Sequence, residues 1–201
     1  MKIYLARHGQ TDWNVAARWQ GSTDIPLNET GLKQAELLAA KMAIYPIKAI
    51  YSSPLLRAAK TAAAVALKFN LPVNYRQDLE EMRLGEWEGL THAELLLNHK
   101  ENFALWDKDP EHIVSPNIES HVQMQNRAFA AFEAICQTET EDTLIVSHGA
   151  WINRLICRLL SLPIASRMNI FTSNVGLTIV DCNKDTDKYT VLTLNDFSHL
   201  Q

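Results

Sequence analysis

Three short apolar runs, Lys2 to Ala6, Lys48 to Tyr51 and Thr143 to Val146, constrain most strongly what this chain can fold into. Each is only as long as a strand and leads into a helix-like segment. That alternation predicts parallel strands joined by right-handed crossovers, an α/β plan. Asn28 or Thr30 can cap a helix that places Leu32, Ala35, Ala39 and Met42 on one face, and Ser53 with Pro54 offers a cap and first-turn proline for an Ala-rich helix reaching about Phe69. Thr91-His92-Ala93-Glu94 is a capping box for a third helix, and Ser120 can open a fourth through Val122, Ala128, Ala131 and Ile135. Gly176 to Val180 and Tyr189 to Leu194 read as two strands around the polar turn Asn183 to Asp187, a hairpin that finishes the sheet.

At 201 residues and 47% hydrophobic content, one core suffices, so a single domain over 1–201 is expected. The stretch 90–117 follows no strand–helix rhythm; it reads as an insertion over one face, with an ordinary helical connection as the alternative. A formal charge of −4 offers no basic surface for nucleic acid or anionic lipid. No apolar run approaches the roughly 18 to 20 residues of a membrane span. Cys136, Cys157 and Cys182 are odd in number and widely spaced, which suggests neither a disulfide framework nor a zinc knuckle and fits a reducing cytoplasm. Oligomeric state is left open, with a homodimer as one outcome.

The chemistry gathers behind the strands. Arg7-His8-Gly9 follows the first run, Ser52-Ser53-Pro54 with Arg57 the second, and Ser147-His148-Gly149 the third. In a parallel sheet the carboxyl ends of the strands share one edge, where ligands bind, so these segments are expected to converge. Any one of them alone is a weak signal, and a lone His8 reads as a half-buried imidazole. Together they bring two guanidiniums into one pocket. These repel unless they share an anion, and their planar forks suit tetrahedral phosphate oxygens.

These segments resemble the histidine phosphatase superfamily, also called phosphoglycerate mutase-like, in the run Arg7-His8-Gly9-Gln10-Thr11-Asp12-Trp13-Asn14 and in several later motifs. Gln20-Gly21, Pro26 to Gly31, Ser52 to Ala58, Leu79 to Gly89 and Ser147-His148-Gly149 continue the likeness in order over most of the chain. The resemblance implies a three-layer α/β/α sandwich, mainly parallel with one antiparallel strand. It implies His8 as a nucleophile that forms a phosphohistidine, with Arg7, Arg57 and His148 around the transferred group. Glu81 is implied as the acid that protonates the leaving alkoxide and then, as carboxylate, activates water. Asn14, Gln20, Gly21 and Gly149 are carried over as phosphate or substrate contacts, although turn chemistry explains Asn14 and Gln20-Gly21 about as well. Glu80 is a rival to Glu81, and Glu80, Glu86 and Glu88 otherwise read as a solvated acidic loop.

The implied chemistry is coherent. Positive neighbours keep an imidazole unprotonated and nucleophilic, while arginines and a protonated His148 can stabilise three equatorial oxygens. No metal or other cofactor is then required. The cysteine, aspartyl, Gly-x-Ser-x-Gly and Walker-type chemistries each lack a required residue here. A metal site built from His8, His148 and Glu81 is the best enzyme alternative, and the adjoining arginines argue against a cation.

Within the family, a mutase acting on a bisphosphate needs extra basic residues in the insertion. Residues 90–117 offer Lys100 and Lys108 against Glu94, Glu101, Asp107, Asp109 and Glu111, so a phosphatase acting on a small phosphorylated metabolite is expected. The alternatives are a cofactor-dependent phosphoglycerate mutase and a non-catalytic phospho-ligand binder. The likeness is closest to the broad-specificity and α-ribazole phosphatase branch, with Ile118-Glu119-Ser120 departing from that branch's Gly-Glu-Ser. Trp19, Trp87 and Trp106 are candidates for the pocket wall, whereas Trp151 and Phe171 are expected to be core or lid packing.

Overall fold

The computed structural model describes residues 1–186 and 188–201; Asp187, at the end of the expected polar turn, lies outside the described residues. Among the described residues six strands form one sheet in the order β3-β2-β4-β1-β5-β6. They are β1 (Lys2–Arg7), β2 (Ala49–Ser52), β3 (Asn74–Tyr75), β4 (Thr143–Ser147), β5 (Leu177–Asn183) and β6 (Lys188–Asp196). β3, β2, β4 and β1 pair in parallel, and β5 runs against both β1 and β6, so the expected single antiparallel strand is present. The helices are α1 (Asp12–Val15), α2 (Glu29–Met42), α3 (Leu56–Phe69), α4 (His92–Asn98), α5 (Lys100–Lys108), α6 (His121–Thr138) and α7 (Gly149–Leu159).

Two buried clusters lie on the two faces of the sheet because successive strand residues point to opposite sides. Ile3, Leu5, Ile145 and Val180 face α6 and α7, whereas Tyr4, Ala6, Leu144, Val146 and Ile179 face α2 and α3. β4 is buried along its whole length, as expected of a central parallel strand covered on both sides.

Local chemistry sets most helix starts. Asn28 accepts from the Gly31 amide, and capping boxes open α4 at Thr91 with Glu94 and α6 at Ser120 with Gln123. α3 departs from expectation. It begins at Leu56, because the Ser53 amide still bonds to the Val146 carbonyl and prolongs the strand pairing, while the Ser53 hydroxyl lies 2.8 Å from His148 Nε2.

Residues 90–117 hold α4 and α5, whose Leu95, Phe103 and Trp106 join the core on the α6–α7 side of the sheet. The free Cys136 and Cys182, distant in sequence, meet with their sulfurs 3.2 Å apart between α6 and β5. No helix among the described residues is long and apolar enough to cross a membrane.

Candidate active site

The pairing of β1 with β4 brings the key turns together. Arg7 stands opposite Ser147 at the last rung, so the next residues, His8 and His148, leave the sheet side by side with ring centroids 5.2 Å apart. The Ser53 amide and the His8 amide both bond to backbone carbonyls of β4, which ties the third turn to the other two. The carboxyl edge of the sheet is therefore where the polar residues collect.

A cavity of about 450 Å³ opens there, and Arg7, His8, Asn14, Gln20, Gly21, Arg57, Glu81 and Gly149 all line it. His148 does not. It lies behind His8, fully buried, and reaches the site through the His8 ring and the Ser53 hydroxyl.

His8 Nδ1 lies 2.7 Å from the Gly9 carbonyl oxygen, which can only accept, so the ring proton sits on Nδ1 and Nε2 presents a lone pair. Burial, and then the charges of Arg7 and Arg57, hold His8 well below the ordinary imidazole range. Burial, Arg57 and His8 do the same to His148. This changes the expectation for His148, whose ring is neutral in the empty pocket.

The two arginines are oriented by carbonyls. Arg57 donates from Nη1 to Thr23 and from Nη2 to Gly21, each at 2.7 Å, and Arg7 donates from Nη1 to Thr172 at 2.7 Å. Arg57 is wholly buried, and that burial draws it down to about 10. Buried polar atoms without partners gather around this cavity: Arg7 Nε, Arg57 Nε, Gln20 Oε1 and His148 Nδ1. Asn14 Oδ1 accepts from the Thr11 amide and closes the capping box of α1, so turn chemistry and a place in the wall coexist in one side chain.

The loop that carries Gly21 is fixed by Glu88. Its carboxylate accepts from the amides and hydroxyls of Ser22 and Thr23 and from the Leu84 amide. Burial alone would raise this carboxyl, but the bonds from Thr23, Ser22 and Leu84 outweigh it and hold it below its usual range. Glu88 is thus a half-buried loop anchor and not part of a solvated acidic face. Gly21 has φ +52°, and a Cβ there would collide with the Glu88 carboxylate, so only glycine lets it approach.

Glu81 lines the same cavity, with its oxygens accepting from the amides of Met82, Ala150 and Trp151 at 2.9 to 3.3 Å. Two of those donors are at the start of α7, where free amides favour an anion. Arg127 fixes the backbone beneath it. Its guanidinium donates to the carbonyls of Asp78, Glu80 and Glu81 and makes a bidentate pair with the buried Glu119. Glu80, the rival acid, is half-buried, is raised by burial, and is not among the lining residues. The Ile118 departure changes no exposed contact: Ile118 is core, bridged to Leu84.

Arg127, Glu88, His121, Arg154 and Arg167 escaped sequence reasoning, because charged residues in helices and loops look like solvated surface until tertiary contacts bury them. The aromatic expectations divide. Trp19 and Trp106 line the cavity, whereas Trp87 is fully buried behind it and Trp151 is core, with its indole donating to the Asp78 carbonyl. Phe171 is not packing: it is 75% exposed at the cavity mouth, on the segment after the short 164–169 turn. No group of three or more His, Cys, Asp or Glu side chains suited to a metal occurs among the described residues.

Residues 3–196 match the family described as histidine phosphatase superfamily (branch 1). The chain belongs to this superfamily. This histidine phosphatase is 31% identical over 198 residues to the putative phosphoserine phosphatase 2 of Hydrogenobacter thermophilus, which covers 98% of this chain and 97% of that protein. It is 32% identical over 169 residues to the adenosylcobalamin/alpha-ribazole phosphatase of Salmonella typhimurium, covering 83% of each. Among solved structures, Bacillus stearothermophilus YhfR superposes with a TM-score of 0.91 at 30% identity, over 100% of this chain and 99% of that one. A mutant phosphoserine phosphatase from Entamoeba histolytica in complex with phosphoserine gives 0.89 at 29% identity, with the same coverage.

Proposed function

We propose that this histidine phosphatase is a metal-independent phosphomonoester hydrolase that acts on a small phosphorylated metabolite through a phosphohistidine at His8. The observation that carries this reading is the Gly9 carbonyl holding the proton on His8 Nδ1, which leaves Nε2 as a neutral nucleophile facing a basic cavity. Relatives named phosphoserine phosphatase and alpha-ribazole phosphatase, and an Entamoeba histolytica enzyme solved with 3-phosphoglyceric acid, support a small phosphorylated substrate.

In the first step a bond forms from His8 Nε2 to phosphorus as the bond to the alcohol oxygen breaks, and protonated Glu81 gives its proton to the leaving oxygen. Arg7, Arg57, Asn14, Gln20 and the amides of Gly21 and Gly149 surround the transferred group, with His148 packed behind His8 against the Ser53 hydroxyl. In the second step Glu81, now a carboxylate, removes a proton from water, whose oxygen bonds to phosphorus as the phosphorus–nitrogen bond breaks. Orphaned donors on Arg7 and Arg57 support this assignment, since buried unpaired groups favour a ligand that completes them.

In this reading 1–201 is one catalytic domain and 90–117 serves as its lid, supported by Phe103 and Trp106 of α5 in the cavity wall. Three free, buried cysteines favour a reducing cytoplasm, and the edge strand β6, with Leu192 and Leu194 half exposed, is the surface on which a homodimer would pair.

Hydrolysis of p-nitrophenyl phosphate without added metal, together with an acid-labile phosphoenzyme, is the expected result. Turnover surviving in His8→Ala, or its abolition by EDTA, would sink this mechanism.

A further inference from the structure

Beyond the phosphoryl pocket the same cavity has a second basic wall that the hydrolytic steps leave unused. Arg154 comes from α7, Arg167 from the 164–169 turn, and His121 is the first residue of α6. Arg154 Nη2 lies 3.1 Å from His121 Nδ1. An arginine only donates, so His121 accepts at Nδ1 and carries its proton on Nε2. Burial, followed by the charges of Arg154 and Arg167, pulls His121 down to about 2, and burial lowers Arg154 to about 10.

This wall is incompletely satisfied. Arg154 Nε, Arg167 Nε and His121 Nε2 are all buried donors without a partner. Arg154 has no ion pair among the described residues, although Glu81 is near enough to favour its charged form. Arg167 is partly engaged, with Nη2 donating to the carbonyl and the carboxylate of Asp107 at 2.8 and 2.6 Å. A buried cation without a counter-ion is costly, and a half-satisfied network is costlier than a complete one. The missing partner is an anion.

We propose that Arg154, with His121 and Arg167, forms a second anion subsite that takes a carboxylate or a second phosphate on the alcohol half of the substrate. The substrate class is then a small phosphomonoester charged at both ends, with its ester oxygen between Glu81 and His8. The subsite rests on the phosphatase reading. It also revises an expectation from sequence: the second basic wall comes from α7 and the 164–169 turn, while the acidic insertion contributes Asp107, which restrains one of its arginines.

The test compares kcat/KM for 3-phosphoglycerate, for glycerol 3-phosphate, which replaces the carboxylate by a neutral alcohol, and for propane-1,3-diol bisphosphate. The wild-type protein is expected to favour one doubly anionic ester over glycerol 3-phosphate by about tenfold to a hundredfold, the ratio of a buried charge-assisted bond. The favoured ester identifies the group as carboxylate or phosphate. Arg154→Met is expected to collapse that ratio, and Arg154→Lys to keep part of it. Equal kcat/KM for all three esters in the wild-type protein, or an unchanged ratio in a folded Arg154→Met protein, would overturn the subsite while leaving the hydrolase intact. If no ester, p-nitrophenyl phosphate included, is turned over, the phosphatase reading fails separately. The subsite is then judged by calorimetric titration of His8→Ala: tighter binding of 3-phosphoglycerate or the bisphosphate than of glycerol 3-phosphate supports it, and equal Kd values overturn it.

Discussion

The 2.7 Å contact between His8 Nδ1 and the Gly9 carbonyl places the imidazole proton on the side away from the cavity. Burial and the flanking arginines keep that ring neutral well below pH 6.5. The acid limb of kcat/KM for p-nitrophenyl phosphate is therefore expected to fall well below the ordinary imidazole range. A limb centred near the ordinary imidazole value would contradict the assignment. Because kcat/KM reports groups of the free protein, this profile reads the empty pocket.

On the proposed mechanism Glu81 matters most when the leaving group is a poor one. Glu81→Gln is expected to lower kcat at least a hundredfold for an alkyl phosphate and far less for the phosphorylation step with p-nitrophenyl phosphate, whose phenolate leaves unaided. Rapid-quench measurements should then find phosphoenzyme accumulating, because the base for water attack is gone. Equal losses in both steps and with both esters would assign Glu81 a structural role.

Arg127 acts on Glu81 through the backbone. Its bonds to the carbonyls of Asp78, Glu80 and Glu81 and its pairing with Glu119 make it a positioning residue. Arg127→Met leaves Glu119, itself 3% exposed, without its main partner, and a loss of about 3 to 5 kcal/mol in urea unfolding is expected. In protein that remains folded, kcat should fall while KM for p-nitrophenyl phosphate changes little. A fall confined to KM would place Arg127's influence in the phosphate pocket instead.

His121 links the site to acid stability. Its folded-state value, drawn down to about 2 by burial and the two nearby arginines, lies below the unfolded value near 6.5. Between those limits the unfolded chain binds the extra proton, so stability rises with pH, and the contribution present above pH 6.5 is lost as the pH falls. From pH 7 to 5 this single group accounts for about 2 kcal/mol. Urea unfolding at the two pH values should show a smaller difference for His121→Asn than for the wild-type protein; an identical difference would mean that His121 is not held neutral.

The sequence disclosed what is local. Capping boxes at Thr91 and Ser120 are written in residues three apart, and Arg7, His8, Arg57 and Gly149 lie at or just beyond the ends of strands that could be recognised, whereas Glu81 is legible only through the family motif. What it concealed was tertiary. Glu88, Arg127, Arg154 and Arg167 are polar residues whose spacing resembles a solvated surface, and only packing from distant elements buries them. Ser53 misled because strand pairing and the His148 ring outcompeted its role as a helix cap. Phe171 follows no periodic element, so its exposure could not be inferred from a pattern.

β4 sits between β1 and β2 although it is the fourth strand along the chain. Neither β1 nor β2 has its β4 partner until residues 143–147 are made, and His148 follows immediately. Such distant parallel pairing is slow to form. During synthesis His8, Gly9, Arg7 and Arg57 are thus made early, whereas His148 and the Ala150 and Trp151 amides that hold Glu81 arrive only with β4 and α7, so chains ending before β4 lack one side of the cavity.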